Sequence, residues 1–134
     1  MDEIKPAAED NAPVDIVLAE DDPFISRMYQ IKLSGTGYKV VSADNGRAAA
    51  ELIRARNPRL ILIDINMPEL SGFEVIETLK SGNYNFDHTA IVFLTNSNRK
   101  EDVERAKKLG GDYLIKADLT PKSVLELIDS KLKK

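Results

Sequence analysis

The chain has 134 residues, no cysteine and a formal net charge of −3, which limits it to one domain with a buried core and excludes disulfides and thiolate metal sites. The acidic balance argues against nucleic-acid binding, and the apolar runs are too short to cross a membrane. Without a signal sequence or cysteines, we expect a cytoplasmic protein with no membrane partner. Residues 1–13 mix charged residues with prolines and are predicted to be a flexible tail before a folded domain over 14–134.

Short apolar runs alternate with segments of helical periodicity along the rest of the chain. The predicted strands are 16–19, 39–42, 60–63, 90–94 and 113–115, and the predicted helices are 23–34, 46–56, 72–80, 100–109 and 121–133. Apolar residues at helical spacing, such as Phe24, Met28 and Ile31 in the first helix, mark the faces expected to pack on the sheet. Strict alternation predicts an α/β fold with a parallel sheet covered by helices on both sides.

Polar side chains follow four of the predicted strands: Glu20 and Asp21 the first, Asp64 the third, Thr95 the fourth and Lys116 the fifth. The carboxyl ends of parallel strands lie along one edge, so these groups are expected to meet in one crevice. Carboxylates 4 Å apart repel by roughly 4 kcal/mol per pair at an effective dielectric near 20. Lys116 and a hard divalent cation are the two candidates that offset this repulsion.

Mg²⁺ suits such a site because it uses one or two carboxylates and leaves room for a phosphate oxygen. Asp22 precedes Pro23 and is predicted to cap the first helix. That leaves Asp21 as the direct ligand and Glu20 as a partner acting through water. Asp64, beside the metal, a lysine and a hydroxyl group, can then act as a nucleophile toward a phosphoryl group.

Each of these residues also has an ordinary interpretation when taken alone. An acidic run can simply cap a helix, Asp64 can be a turn former, Thr95 a strand residue and Lys116 a solvated lysine. Their joint placement at strand ends favours the phosphate site. His88, the only histidine, is predicted to lie in a surface loop at the opposite edge of the sheet.

The motifs together resemble the receiver domain of bacterial response regulators in two-component signalling. We expect either the stand-alone single-domain type or a domain excised from a longer protein. The resemblance rests on Glu20-Asp21, Asp64 followed by Asn66-Met67-Pro68 and Gly72, Thr95, and Tyr113 three residues before Lys116. It implies a flavodoxin-like, doubly wound (βα)5 sandwich with strand order 2-1-3-4-5. It also implies a Mg²⁺ ion bound by Asp21, Asp64 and the backbone carbonyl of Asn66.

The resemblance further implies a phosphorylation-dependent signalling protein. A sensor histidine kinase or a histidine phosphotransfer protein would pass a phosphoryl group to Asp64, and Lys116 would pair with Asp64 and then with that group. Thr95 would move to bond a phosphoryl oxygen, and Tyr113 would swing inward, remodelling the face made by helix four, strand five and helix five. Such a domain promotes its own phosphotransfer and slow autodephosphorylation, so we expect no turnover of external substrates. Both a relay role and a partner-docking role stay open.

The chain departs from the family pattern at two positions. Lys116 is followed by Ala117 where proline is usual, so a trans bond is expected because a cis bond without proline costs about 2.5 to 4 kcal/mol. Asn96 stands where a small residue is common, and its amide can narrow access to the phosphoryl group or contact it. The thin apolar stripe of helix four makes that helix a candidate moving element.

Other functions were weighed on the same residues. A flavin-binding carrier needs a phosphate-cradling loop after strand one, where this chain has Glu-Asp-Asp-Pro. A haloacid dehalogenase type of phosphohydrolase needs a second acid where this chain has Asn66. The remaining alternative is an interaction module that has the receiver fold but does not depend on phosphorylation. It is supported only by Ala117 in place of the usual proline and by Asn96 in place of a small residue.

Overall fold

The computed structural model describes residues 12–96 and 98–132, so the predicted tail lies outside the described residues except for Ala12 and Pro13. Strands and helices alternate as predicted, with bounds within one residue of the prediction. They are β1 Ile16–Ala19, α1 Pro23–Ser34, β2 Val40–Ala43, α2 Gly46–Arg56, β3 Leu60–Asp64, α3 Gly72–Ser81, β4 Ala90–Thr95, α4 Lys100–Lys108, β5 Asp112–Ile115 and α5 Pro121–Leu132. A 3₁₀ turn, Lys116–Asp118, links β5 to α5.

The five strands form one parallel sheet in the order β2-β1-β3-β4-β5. Ile16 of β1 pairs with Val40 of β2 on one side and with Leu60 of β3 on the other. The strand order therefore reverses between β1 and β3, and a crevice opens there at the carboxyl ends of the strands. The flavodoxin-like arrangement predicted from the sequence is confirmed.

The sheet is buried on both faces by two separate apolar clusters. Helices α2, α3 and α4 cover one face, where Val17 and Ile61 point, and α1 and α5 cover the other, where Leu18 and Leu62 point. All five residues of β3 are buried, as expected for a central parallel strand. The rigid central strands fix the residues that follow them.

Helix α1 begins as its sequence predicts. The Asp22 side chain accepts hydrogen bonds from the backbone N–H groups of Phe24, at 2.9 Å, and Ile25, at 3.3 Å. Pro23 occupies the first turn, where its missing N–H costs nothing. Asp22 is thereby committed to the helix cap.

The buried face of α1 differs from the prediction. Tyr29 and Leu33 pack into the core, whereas Phe24, Met28 and Ile31 are exposed. The expectation that these three residues form the sheet-facing side of the helix was wrong, because the tyrosine and leucine satisfy the i, i+4 spacing of a buried face equally well. We call Phe24, Met28 and Ile31 the α1 stripe.

Helix α4 is attached to the core by few apolar groups. Its only fully buried residue is Ala106, as the thin stripe predicted. Arg105 adds a polar link, donating to both carboxylate oxygens of Glu77 on α3 and lying 4.7 Å from the centre of the Phe73 ring. Within the part of the chain that the structure describes, every helix is too short or too polar to span a bilayer.

Candidate functional site

Asp64 ends the central strand β3 and is buried at the crevice. Its Oδ1 accepts a hydrogen bond from the backbone N–H of Asn66 at 3.2 Å, and its Oδ2 accepts one from the Lys116 ammonium at 3.0 Å. Asn66 itself is exposed. The carboxylate is therefore held in place by the loop that follows it and by the ammonium group of Lys116, the first residue after β5.

Lys116 bridges two acids. Its Nζ lies 3.0 Å from Asp64 Oδ2 and 2.7 Å from Glu20 Oε1. Burial alone would lower the pKa of Lys116, but its hydrogen bonds and charge interactions with Glu20 and Asp64 outweigh burial and raise that pKa above its usual value. The lysine stays protonated and partly neutralises the site.

Glu20 follows β1 and is 1% exposed. Its Oε2 accepts a hydrogen bond from the Asp22 backbone N–H at 3.2 Å. Its Oε1 has no aligned hydrogen-bond donor among the described residues despite its short ionic contact with Lys116. Burial raises the pKa of Glu20, the close contact with the Lys116 ammonium counters part of that rise, and the negative charge of Asp64 adds to it.

Three carboxylates converge where the sequence predicted them to. Glu20, Asp21 and Asp64 each offer an oxygen, and these oxygens lie within 4.8 Å of one another. Asp21 is exposed to solvent, whereas Glu20 and Asp64 are buried. One lysine cannot neutralise three acids, which leaves room for a hard divalent cation with oxygen ligands.

Thr95 lies at the same edge of the sheet, at the carboxyl end of β4. It is the last residue of β4, pairs in register with Ile115 of β5 and is buried. Asn96 follows it and is exposed. The structure thus places side chains from β1, β3, β4 and β5 at one edge, as the strand-end argument predicted.

Comparison with known proteins identifies this arrangement. Residues 16–129 match the model of the response regulator receiver domain. The chain belongs to that family. It is 30% identical over 120 residues to the polar-differentiation response regulator DivK of Brucella anthropi, covering 90% of this chain and 97% of the relative. The DivK of Brucella ovis is 29% identical over 117 residues, covering 87% of this chain and 94% of the relative.

Solved receiver structures have the same fold. The chemotaxis protein CheY4 of Vibrio cholerae superposes with a TM-score of 0.79 at 25% identity, covering 90% of this chain and 99% of that one. The receiver domain of a Francisella response regulator superposes with a TM-score of 0.78 at 26% identity, covering 88% of this chain and 95% of that one. The predicted family and fold are both confirmed.

The β3–α3 loop of this receiver domain passes very close to Asp64. The Gly72 N–H donates to the Ile65 carbonyl at 2.8 Å, and a Cβ on Gly72 would lie 2.4 Å from the Asp64 carbonyl oxygen. Ser71 and Glu74 then start α3 with a reciprocal capping box. Glycine at position 72 lets the loop fold back on the end of β3.

Tyr113 lies outside the carboxylate cluster. It is half-buried on β5, packs against the core and lines a groove of about 530 Å³ together with Val103 of α4 and Leu127 of α5. This is the face that the family resemblance implied would be remodelled. The inward swing of Tyr113 stays a prediction.

The β5–α5 connection and His88 match the sequence expectations. Among the described residues every peptide bond is trans, including the bond between Lys116 and Ala117. His88 is exposed in the turn before β4, at the amino ends of the strands and far from the crevice.

Sequence reasoning missed Tyr29. This buried tyrosine lines a cavity of about 130 Å³ together with Lys116. Its pKa is raised mainly by burial, and the charges of Lys116, Glu20 and Asp64 also act on its hydroxyl group. The spacing of four residues between Tyr29 and Leu33 could have indicated a buried helix face. It was overlooked because the residues of the α1 stripe are more apolar.

Proposed function

We propose that this receiver domain is a phosphorylation-dependent signalling switch or relay, with Asp64 as the phosphoacceptor. The observation that supports it best is the position of the Asp64 carboxylate, which ends a buried strand, is bonded to Lys116 and lies within 4.8 Å of two further acids. Family membership gives this geometry its interpretation. The donor class is a sensor histidine kinase or a histidine phosphotransfer protein.

In the proposed step, a carboxylate oxygen of Asp64 attacks phosphorus. The bond between phosphorus and the donor imidazole nitrogen breaks, the electron pair leaves with the imidazole, and an acyl phosphate forms on Asp64. Lys116 is already bonded to Asp64 and would follow the new negative charge onto the phosphoryl oxygens. The Thr95 hydroxyl is the candidate donor to another phosphoryl oxygen, and the exposed Asn96 is placed to affect how long the acyl phosphate persists.

The acidic cluster fits Mg²⁺. Asp21 and Asp64 are the proposed direct ligands, the backbone carbonyl of Asn66 supplies a third oxygen, and Glu20 acts through water. The excess of acid supports a bound cation, because three carboxylates lie within 4.8 Å of one another and Lys116 supplies one positive charge to them. When bound, Mg²⁺ would offset the charge of the acids and of the incoming phosphoryl group.

The output of the domain is proposed to lie on α4, β5 and α5. Helix α4 has one fully buried residue, so its position can change at low cost. Movement of Thr95 toward the phosphoryl group and of Tyr113 inward would reshape the groove that Tyr113 shares with Val103 and Leu127. A downstream protein would read that change, and no turnover of an external substrate is proposed.

Intact-mass analysis after incubation with Mg²⁺ and acetyl phosphate tests the acceptor. The wild type is expected to gain one phosphoryl group, which should be absent in Asp64→Asn. Asp44→Asn is the matched control because Asp44 is an exposed aspartate after the neighbouring strand. If Asp64→Asn still gains a phosphoryl group, Asp64 is not the acceptor.

A second measurement uses a phosphohistidine protein as donor. If neither donor modifies the wild type, the phosphorylation-independent interaction module becomes the better account. Among modified proteins, Asn96→Ala is expected to change the rate at which the phosphoryl group is lost. An unchanged rate would mean that Asn96 does not affect the lifetime of the acyl phosphate.

A further inference from the structure

Tyr29 is a polar residue that α1 contributes to the interior of the domain. It is 7% exposed and belongs to the apolar cluster between the sheet, α1 and α5. Among the described residues its hydroxyl group has no hydrogen-bond partner, whereas the hydroxyl group of Tyr38 donates to Asp129 at 3.2 Å. Buried tyrosine hydroxyl groups are normally hydrogen-bonded, to protein or to ordered water. The Tyr29 hydroxyl group therefore calls for a partner that is not a protein group.

The space beside Tyr29 is a cavity of about 130 Å³ between α1 and the start of α5. Ile25 and Val124 are among its apolar walls, and Lys116 and Thr120 contribute polar groups. A single ordered water needs about 10 to 15 Å³ of such space and two to four polar partners. The cavity has the room and the polar groups for at least one water.

Lys116 has a hydrogen-bond donor to spare. An ammonium group carries three N–H donors. Among the described residues, Lys116 donates to Asp64 at 3.0 Å and contacts Glu20 Oε1 at 2.7 Å. Its side chain is 13% exposed, so bulk water has little access to the remaining N–H. Leaving a charged donor unpaired in a buried site is costly, which favours an acceptor inside the cavity.

The hydroxyl group of Tyr29 lies within the electrostatic reach of these charged groups. Burial raises the pKa of that hydroxyl group, and the next largest influence on it is the charge of Lys116, followed by those of Glu20 and Asp64. The hydroxyl group and the ammonium group are not directly bonded to each other. Two polar groups separated by more than a hydrogen-bond length are commonly joined by one water.

We propose that Tyr29 is a positioning residue for Lys116 and acts through a water molecule held in this cavity. The water accepts a hydrogen bond from the remaining N–H of Lys116 and is itself bonded to the Tyr29 hydroxyl group. This third contact fixes the direction of the ammonium group, which otherwise ends a flexible four-carbon chain. Its consequence for phosphotransfer rests on the proposed function: the oriented ammonium group is ready to follow the negative charge from Asp64 onto the phosphoryl oxygens.

NMR of the lysine ammonium groups tests the contact in the full chain, without metal or phosphodonor. Tyr29→Phe removes the hydroxyl group and keeps the ring that packs in the core. The Lys116 ammonium protons are expected to exchange with solvent at least about twofold faster in Tyr29→Phe than in the wild type, because a hydrogen bond is lost. Tyr38→Phe is the matched control: it removes another tyrosine hydroxyl group beside the same apolar cluster and should leave Lys116 exchange unchanged.

The rate of labelling by acetyl phosphate measures the consequence for phosphotransfer. At saturating Mg²⁺, Tyr29→Phe is expected to gain its phosphoryl group about two- to tenfold more slowly than the wild type. The affinity for Mg²⁺ should be unchanged, because Asp21 and Asp64 are intact. Tyr38→Phe should be labelled at the wild-type rate. Slower labelling of Tyr29→Phe together with a matching loss of Mg²⁺ affinity would indicate a distorted site and would contradict a role confined to Lys116.

Three further results would overturn the proposal. The Lys116 ammonium protons could exchange equally fast in the wild type and in Tyr29→Phe, both tyrosine variants could accelerate that exchange equally, or Tyr29→Phe could be labelled as fast as a wild type that is labelled. A wild type that gains no phosphoryl group would contradict the phosphoacceptor role of Asp64. The ammonium measurement would still decide the role of Tyr29, because it uses no phosphodonor.

Discussion

Gly72 lies against the Asp64 carbonyl with no room for a side chain between them. A Cβ at position 72 would come within 2.4 Å of the Asp64 oxygen and 3.1 Å of the Ile65 Cα. Both neighbours are backbone atoms, so relief requires movement of the β3–α3 loop. The packing of the loop and the position of Asp64 are therefore linked.

Gly72→Ala is expected to lower the free energy of unfolding by about 1 to 3 kcal/mol, the usual cost of overpacking a tight site. Urea unfolding measures this loss, and Mg²⁺ affinity should fall with it because Asp64 shifts. Gly35→Ala is the control: Gly35 has a negative φ of −78° and its nearest neighbour to a new Cβ lies at 3.7 Å. That variant should be unchanged or more stable by up to about 1 kcal/mol, so equal losses in both would contradict the steric argument.

Lys116→Ala is expected to lower stability by about 1 to 3 kcal/mol in metal-free buffer, because two buried carboxylates lose their cation. Mg²⁺ should still bind and should recover part of the loss. The conformational response to phosphorylation should weaken, which amide exchange on α4 can report. Lys122→Ala, at an exposed position on α5, is the matched control, and an equal response in the two variants would remove Lys116 from the mechanism.

Mg²⁺ is expected to stabilise the domain through the acidic cluster. At about 100 times the dissociation constant, a ligand that binds only the native state adds about 2.7 kcal/mol. Asp21→Asn should lose most of that gain, whereas Asp44→Asn should keep it, because only Asp21 belongs to the cluster. Thermal unfolding with Mg²⁺ and with EDTA makes the comparison; an undiminished gain in Asp21→Asn would exclude Asp21 as a ligand.

The raised pKa of Glu20 predicts a distinctive pH dependence. Burial raises this pKa above its usual 4.5, so the native state takes up the proton at a higher pH than the unfolded chain does. The resulting stabilisation is complete below pH 4.5 and is lost as pH rises through the native pKa. In EDTA, the stability of the wild type relative to Glu20→Gln should therefore increase as the pH falls from neutral.

Urea unfolding of the two proteins at a series of pH values measures that difference. If the stability difference between the wild type and Glu20→Gln does not change with pH, the pKa of Glu20 is the same in the native and unfolded states. If the stability of the wild type relative to Glu20→Gln instead decreases as the pH falls, Lys116 lowers the pKa of Glu20 more than burial raises it.

The link between α4 and α3 predicts local rather than global weakening. Arg105→Ala removes the contacts of the guanidinium with Glu77 and with the Phe73 ring, and a half-exposed ion pair contributes only up to about 1 kcal/mol to global stability. Amide exchange in α4 should accelerate while that in α2 stays the same. Arg47→Ala, which breaks an exposed pair with Glu69, should leave α4 exchange unchanged.

Much of the site could be predicted because its residues follow strands that are apolar throughout. The apolar run Leu60 to Ile63 between turn-forming residues is typical of a buried strand, and the residue after such a strand lies at the sheet edge. The capping role of Asp22 followed from the proline after it. The parallel sheet and the convergence of Asp64 with Asp21 then followed from the alternation of elements, whereas the strand order 2-1-3-4-5 was implied by the family resemblance.

What could not be predicted depends on side-chain geometry and on which helix face is covered. The contact of Lys116 with Glu20 joins the ends of β1 and β5, and no local pattern encodes it. The α1 face was misassigned because hydrophobicity ranks Phe24 above Tyr29, while burial is decided by the helix's rotation about its axis. That rotation is set by contacts with the sheet and with α5.

Asp64 and Lys116 are 52 residues apart in sequence, and Glu20 comes from farther back still. Their meeting requires β5 to have taken its place at the sheet margin. A polypeptide still emerging from the ribosome, or one cleaved before β5, would lack the ammonium group that pairs with Asp64. If Asp64 accepts a phosphoryl group as proposed, only chains that include β5 could do so with the Lys116 contact in place.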